Sequence, residues 1–383
     1  MAKKTGATVS PVTYKKLKKS EQLLAKESYK EALALLQGLL GSVVKQTYDE
    51  ATVLKSLAYV HTLQGHYKQA AVKLEQCISL EKLPEDQQQQ TMYDLGQLYL
   101  GLQQYQKAIR LMEPWVSNNN PKDGRAYILL ANAHAQLKQY RPALTYAKKA
   151  NRQTKKINEA WYQLELALHY ELHDYPAMIP VLTTLLKHVP DKTEYWNRLS
   201  SVHQQLNQNK KAASIKQLAY KKGLLKNEKE LLNLVDLLLY AGLPFQAAEL
   251  MQFEYDQGRI KRHVKYWERL ANAWTQAREF DQAVVALEKA SSLTKSGNLY
   301  HRLGHIYVQQ EQWAKAISSL QKAIQKGDIK NTGQTYLLLG MSHYELQQKK
   351  QARQAFERAG KYKKTTKAAR QWLQYLAGEK AEG

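Results

Sequence analysis

With 383 residues, of which 44% are apolar, the chain can bury a substantial core, so it is not a disordered protein. Its single cysteine, Cys77, excludes an internal disulfide framework and a structural zinc site made of several thiolates. The 57 Lys and Arg against 34 Asp and Glu give a net charge of +23, which favours anionic partners such as acidic protein faces, anionic lipid head groups or nucleic acid.

Residues 1–12 are predicted to form a basic N-terminal tail. Their letters, MAKKTGATVSPV, contain no apolar core of a signal peptide. No later stretch approaches the roughly 18 apolar residues of a membrane span. The sequence therefore predicts no transmembrane segment, and either a processed form of an exported protein or a protein that stays in the cytoplasm.

Residues 13–366 are predicted to be an array of about ten repeats. An alanine, here called the anchor, recurs every 33 to 38 residues, and Met178 takes its place in the fifth unit. The anchors are Ala32, Ala70, Ala108, Ala143, Met178, Ala212, Ala248, Ala283, Ala316 and Ala352. A fixed period of this length indicates a repeat protein rather than several unrelated domains.

Each repeat is predicted to be a hairpin of two helices. An aromatic residue stands three positions before most anchors and a small residue twelve before, as Tyr105 and Gly96 do for Ala108. Small residues on facing helices allow an approach of about 8–10 Å, and the aromatic is expected to fill the wedge near the turn. One hairpin cannot cover its own apolar face, so neighbouring hairpins should stack into an all-α solenoid.

Two repeats depart from this pattern. The fifth has Met178 as its anchor, with Pro176 and Pro180 in the first turns of its second helix, and a one-residue insertion is predicted there. The seventh has Asp236 at the position of the small residue, for which the sequence offers no reason.

Residues 367–383 are predicted to be a capping helix with a short tail. The stretch is amphipathic, and Ala368, Trp372 and Tyr375 share one side of it. These side chains are expected to cover the open face of the last repeat, as terminal caps of solenoids must.

The anchor, the aromatic and the small residue together resemble the tetratricopeptide repeat (TPR). The resemblance covers residues 13–366 and implies a right-handed superhelix whose first helices line a concave groove. It also implies which repeat positions point into the groove to bind a partner. In this chain they are Arg125, Asn132, Asn197, Arg198, Asn233, Glu268, Arg269, Asn272, His301, Arg302 and His305. The Lys and Asn set by which some TPR proteins clamp a chaperone tail is incomplete here.

Histidines form two groups that can be weighed as metal ligands. Five share one slot, nine positions before the anchor: His61, His134, His169, His203 and His343. Zinc–nitrogen bonds are about 2.0–2.1 Å long, whereas equivalent positions of stacked repeats lie at least a helix spacing apart. These five are predicted to pack and to form hydrogen bonds. His301 and His305 in HRLGH share a helix face but lack a third ligand.

No arrangement of residues predicts catalysis. The chain has no Gly-rich phosphate loop, no G-x-S-x-G elbow and no cysteine nucleophile in a recognisable context. We therefore expect a protein that is not an enzyme and that needs no cofactor and no metal. Its partner is expected to be a peptide or helix of another protein, not a small-molecule substrate.

Longer phrases resemble one group of TPR proteins. NEAWYQLELALHYELHDYPAMIPVL and DQGRIKR are among the phrases similar to TPR proteins encoded beside TonB, ExbB and ExbD in gamma-proteobacteria. This resemblance implies a periplasmic adaptor in outer-membrane transport, in contact with TonB, ExbB, ExbD or a transporter. The alternatives are a cytoplasmic assembly scaffold and a basic helical-repeat protein that binds nucleic acid.

Overall fold

The structure is a computed structural model that describes residues 8–154, 156–261 and 263–378. Residues 1–7 of the predicted tail and 379–383 of the predicted C-terminal segment lie outside the described residues. The described residues form helices and no strand, which confirms the all-α class. None of these helices is both long and apolar enough to cross a membrane.

The chain divides into two compact units, Met1–Pro190 and Asp191–Gly383. The first unit contains α1 (Pro11–Ala25), α2 (Tyr29–Ser42), α3 (Tyr48–Leu63), α4 (Tyr67–Ser79), α5 (Glu85–Gly101), α6 (Tyr105–Asn119), α7 (Gly124–Gln136), α8 (Tyr140–Gln153), α9 (Glu159–Glu171) and α10 (Tyr175–His188). The boundary between the units follows the fifth repeat, whose sequence departs from the pattern.

The second unit continues the same alternation. It contains α11 (Thr193–Gln205), α12 (Asn209–Lys221), α13 (Glu228–Tyr240), α14 (Pro244–Asp256), α15 (Val264–Gln276), α16 (Phe280–Ser292), α17 (Asn298–Gln309), α18 (Trp313–Lys326), α19 (Thr332–Glu345), α20 (Lys349–Gly360) and α21 (Thr366–Gly378). Within each unit, every helix packs against the next one along the chain. Ten hairpins therefore precede α21, as the repeat pattern predicts.

The anchors are buried in every second helix. All nine anchor alanines have no exposed surface, and Met178 is 5% exposed. The residue four positions after the anchor is apolar and buried in eight of the ten repeats: Leu36, Leu74, Met112, Ala147, Leu182, Leu287, Leu320 and Phe356. The pairing of anchor and apolar residue at helical spacing gives each second helix its buried face.

In the ninth and tenth repeats, the small residue of the first helix faces this apolar residue. A Cβ atom added to Gly340 would lie 2.5 Å from Cε1 of Phe356, and one added to Gly304 would lie 2.6 Å from Cγ of Leu320. The helices of these hairpins are thus too close for a larger side chain, which confirms the predicted reason for the small residue.

The aromatic residue before the anchor is less buried than a wedge-filling role requires. It is the first residue of most second helices, and it is half-buried in six repeats and exposed at Tyr67 and Phe245. Several of the tight turns before it hold a residue in the left-handed region, such as Gly242 with a φ of 72° and Arg278 with a φ of 62°. The turn therefore determines the direction of the second helix, and the aromatic covers only one side of it.

Helix α21 packs on α20 at the end of the second unit. Ala369 and Leu376 are buried, and the ring of Trp372 stacks on Phe356 with centroids 5.2 Å apart. Tyr375 stays 53% exposed, and its hydroxyl lies 3.3 Å from that of Tyr344.

Candidate functional site

Three of the predicted groove residues line one cavity in the second unit. Asn197 on α11, Asn233 on α13 and Arg269 on α15 come from first helices of successive repeats, and all three border an open cavity of about 900 Å³. Asn233 is exposed, whereas Asn197 and Arg269 are half-buried. The stacking of hairpins thus places the polar side chains of three consecutive first helices around one space.

Asp236 has a partner across this cavity. Nη2 of Arg269 lies 3.4 Å from Oδ1 of Asp236, so Asp236 on α13 forms an ion pair with the next first helix. Both side chains border the cavity.

The expectation that Asp236 takes the position of the small residue is wrong by one residue. Ala247 stands five residues after the left-handed Gly242, as Ala283 does after Arg278, so the buried Val235 takes that position.

A second group of predicted residues lies on α15 and α17. The guanidinium of Arg302 donates to Oδ1 of Asn272, and Nδ1 of His301 lies 2.9 Å from Oγ1 of Thr335 on α19. His305 is exposed and Glu268 is half-buried. These contacts link three successive first helices through side-chain hydrogen bonds.

Burial changes the acid–base properties of this second group. Desolvation lowers the pKa of His301, and the charges of His305 and Arg302 lower it further. Desolvation also lowers the pKa of Arg302, against which the charge of Glu268 acts. His301 is therefore held in its neutral form near pH 7.

The other predicted residues lie apart from these two groups. Arg125 and Asn132 are exposed on α7 of the first unit, where Arg125 pairs with Asp123 and its guanidinium carbon lies 5.5 Å from the centre of the Tyr93 ring. Arg198 is exposed on α11 and forms an ion pair of 2.6 Å with Glu194 of the same helix.

The five histidines that share one slot are buried, as predicted. Four of them contact a side chain five residues later, across the turn of their own hairpin. Nδ1 of His134, His203 and His343 contacts Oε1 of the glutamine five residues later, at 2.7, 2.8 and 2.5 Å. His169 contacts Asp174 in the same way at 3.1 Å. Among the described residues, no three His, Cys, Asp or Glu side chains converge to hold a metal ion.

The groove positions that the TPR resemblance implies leave out two features of the structure. The first is a cavity of about 890 Å³ in the first unit, bordered among others by Lys55, Tyr59 and Asp94 on α3 and α5. The second is Lys216 on α12, which borders the cavity of the second unit although it belongs to a second helix. A sequence signal for Lys216 exists, because it occupies the slot four residues after its anchor, which most other repeats fill with an apolar residue.

Comparison with known families finds one match in two segments of the chain. The family described as "Tetratricopeptide repeat" matches residues 93–155 and 301–364. These segments include five of the predicted groove residues, namely Arg125, Asn132, His301, Arg302 and His305. No curated protein is significantly similar in sequence to this chain.

The solved structures that match this chain are distant in sequence. A tetratricopeptide repeat protein from Parabacteroides merdae is 12% identical, with 74% of this chain and 94% of that chain covered and a TM-score of 0.41. The C-terminal part of a TPR repeat-containing protein from Cytophaga hutchinsonii is 15% identical, with 72% and 95% covered and a TM-score of 0.41. MamA from Desulfovibrio magneticus RS-1 is 18% identical, with 56% and 96% covered and a TM-score of 0.33.

Tetratricopeptide repeats indicate a scaffold for protein–protein interaction, and proteins of this type are typically not catalysts. The stacked hairpins, the buried anchors and the family match lead to one assignment. Residues 93–155 and 301–364 match the tetratricopeptide repeat family, and the described residues form an all-α solenoid of stacked helical hairpins.

Proposed function

We propose that the protein is a non-catalytic adaptor that binds a segment of a partner protein along the first helices of its second unit. The observation that carries this proposal is the convergence of Asn197, Asn233 and Arg269, from three successive first helices, on one open cavity. Hydrogen-bonding side chains repeated along a surface suit a partner whose backbone groups are themselves repeated.

The chemistry of these side chains suits an extended or helical segment. An asparagine offers both a donor and an acceptor, so the exposed amide of Asn233 can pair with a peptide group. Arg302 and Asn272 bind each other and offer a planar donor surface on the neighbouring helices. The partner needs no fixed sequence at these points, and side chains beyond them determine specificity.

We further propose that the partner belongs to a TonB–ExbB–ExbD system and that the protein works in the periplasm. The support is the similarity of phrases along the sequence, together with a net charge of +23 that favours encounter with acidic proteins or anionic lipids. The proposed partner is TonB, ExbB, ExbD or an outer-membrane transporter.

Site-specific photo-crosslinking in native cells tests both parts of the proposal. A photoreactive amino acid replaces Asn233 in one variant and the exposed Glu249 of the second helix α14 in a control variant. We expect position 233 to capture envelope proteins of the TonB system and position 249 to capture none of them. Mass spectrometry identifies the products.

Three results would contradict the proposal in different ways. Equal capture at the two positions would disprove binding along the first helices. Selective capture of cytosolic proteins at position 233 would support the groove and overturn the periplasmic assignment. Capture of RNA at position 233, weakening steeply with salt, would favour the nucleic-acid alternative.

A further inference from the structure

The first helix presents a row of lysines to solvent, here called the lysine strip. Lys15, Lys18 and Lys19 are exposed, and their spacing of three and four residues places them on one side of α1. Lys26, directly after the helix, is exposed and continues the same side. The only carboxylate of α1, that of Glu21, borders the cavity of the first unit instead. The strip is therefore a line of positive charge with no acid within it.

Contacts with α3 fix the orientation of this helix. Oδ1 of Asp49 accepts from the backbone N–H of the N-cap residue Ser10 at 3.0 Å, and Oδ2 accepts from the hydroxyl of Thr13 at 2.8 Å. Thr13 and Ser20 are buried, and helical geometry puts them on the side of α1 opposite to the lysine strip. The strip therefore faces away from the hairpin to which α1 belongs.

The charge of the strip is not neutralised within the described residues. No carboxylate there pairs with a lysine of the strip, whereas Lys45 pairs with Glu50 at 3.2 Å and Lys107 with Glu75 at 3.4 Å. The preceding residues 1–7 contain two more lysines and no carboxylate side chain. Like charges three and four residues apart on a helix destabilise it. A row of lysines that costs stability and gains no partner inside the chain indicates a surface for an external anion.

Two apolar side chains stand beside the strip in the first turn of α1. Val12 is 66% exposed and Tyr14 is 59% exposed. Tyr14 also borders an open cavity of about 630 Å³ between the strip and Leu35 of α2. Lysines next to an exposed aromatic ring are typical of surfaces that lie at a membrane–water boundary, where the ring sits at the level of the head groups.

We propose that the lysine strip, with Val12 and Tyr14, docks the protein on the surface of a bilayer that contains anionic phospholipids. The lysines lie against head-group phosphates, and the first turn of α1 enters the head-group region without crossing the bilayer. Mobile phosphates in a plane suit lysines, which act as flexible point charges. Recognition of nucleic acid favours the planar fork of arginine, and α1 contains no arginine.

This inference goes beyond the proposed function, because docking uses the first helix of the first unit and partner capture uses first helices of the second. The two fail separately. If position 233 captures its partner but the protein binds no vesicles, the docking inference is wrong and the adaptor proposal stands. If vesicles bind through α1 while position 233 captures nothing selectively, the reverse holds.

Co-sedimentation of the full chain with lipid vesicles tests the inference. One set of vesicles contains phosphatidylcholine alone, and the other contains phosphatidylcholine with an equal amount of phosphatidylglycerol. Binding is measured at about 0.01 M and about 0.15 M salt, because screening weakens contacts between exposed charges. The variant Lys15→Gln/Lys18→Gln/Lys19→Gln removes three charges of the strip.

A matched variant controls for net charge. Lys211→Gln/Lys221→Gln/Lys222→Gln removes three exposed lysines in and directly after α12, so both triple variants lose the same charge. Tyr14→Ala tests the aromatic contact, and Tyr240→Ala, at a tyrosine that is 77% exposed, is its control. Circular dichroism checks that every variant keeps its helices.

We expect wild type to bind vesicles with phosphatidylglycerol, and to bind them more weakly at the higher salt concentration. A lysine near an anionic surface contributes roughly fivefold to the binding constant, so the strip variant should bind at least about tenfold more weakly. The α12 variant should stay within about threefold of wild type. Tyr14→Ala should weaken binding by about threefold and Tyr240→Ala should not.

The inference is wrong if wild type does not bind vesicles with phosphatidylglycerol, or binds phosphatidylcholine alone equally well. It is also wrong if the two triple variants lose binding to the same extent, since net charge would then explain the attraction. Wild-type binding by Tyr14→Ala would disprove entry of the first turn into the head groups. RNA and polyglutamate serve as soluble competitors. Tighter binding of either one through the strip would assign the surface to nucleic acid or to an acidic protein.

Discussion

Arg269 on α15 and Asp236 on α13 form an ion pair between successive first helices, with Nη2 of the arginine 3.4 Å from Oδ1 and 3.5 Å from Oδ2 of the aspartate. The side chains of Arg269 and Asp236 are 38% and 40% exposed. The pair therefore connects two repeats at the border of the cavity while water still reaches both charges.

This ion pair is expected to contribute little to stability. Because water screens both groups, a double-mutant cycle with Asp236→Ala and Arg269→Ala should give a coupling of about 0.2–1 kcal/mol. Urea unfolding measures it. Arg269→Ala alone should leave the melting temperature almost unchanged while it weakens partner capture. A coupling of several kcal/mol would instead describe a desolvated pair.

Trp267 should contribute strongly to the stability of the second unit. It is 6% exposed, its ring lies 4.9 Å from that of Tyr266 and 5.1 Å from that of Tyr255, and Nζ of Lys289 is 4.5 Å from its centre. Trp267→Ala should lower the free energy of unfolding by about 3–5 kcal/mol, the range for large-to-small core changes. The 53% exposed Phe253 provides the control, since Phe253→Ala should change stability by only about 0.5 kcal/mol.

Gly340 tests the close approach of the two helices in a hairpin. Gly340→Ala places a Cβ atom 2.5 Å from Cε1 of Phe356, so the ring must shift and the protein should lose about 1–3 kcal/mol. Gly38 on α2 has no atom within 4 Å of an added Cβ. Gly38→Ala should therefore stabilise the protein by about 1 kcal/mol through its higher helix propensity.

Chemical denaturation of both variants measures these changes. Phe356→Leu, which copies the leucine at the same slot of the ninth repeat, should recover part of the loss in Gly340→Ala. Equal effects of Gly340→Ala and Gly38→Ala would show that the helices of the last hairpin are not in close contact.

His301 should make the stability of the second unit depend on pH. Burial lowers its pKa below the ordinary value of 6.5, and the charges of His305 and Arg302 act in the same direction. A lowered pKa in the folded state gives stability that is complete above pH 6.5 and is lost as the pH falls through the folded-state pKa. His301→Gln should lose less stability over this range.

Unfolding free energies of wild type and His301→Gln between about pH 5 and pH 8 check this expectation. His305→Gln serves as a second comparison, because it removes one of the charges that lower the pKa of His301. Parallel curves for wild type and His301→Gln would show that His301 titrates alike in the folded and unfolded chain.

The sequence predicted the hairpins because helix packing depends on local spacing. Anchors such as Ala108 and small residues such as Gly340 recur at fixed distances along the chain, and a helix converts those distances into a buried face. The burial of the aromatic residue before the anchor was predicted less well. Tyr67 and Phe245 are exposed, and Phe245 is the second residue of α14, because Pro244 takes the position at which the aromatic begins other second helices.

The candidate site was predictable only in part. Asn197, Asn233 and Arg269 meet at one cavity, but Arg125 and Asn132 lie in the other compact unit, and Arg198 pairs within its own helix. Repeat position alone gives the side of a helix on which a residue lies. It does not give the side chain with which a long, flexible arginine forms an ion pair.

The sequence by itself determined the all-α class, the ten hairpins and the burial of the anchors, because each follows from residue spacing within about 40 positions. Only the tertiary structure decided that Lys216 and Asp236, from different repeats, border one cavity, and that Asp236 pairs with Arg269. Contacts between repeats depend on how neighbouring hairpins stack, and that packing joins residues whose separation along the chain carries no periodic signal.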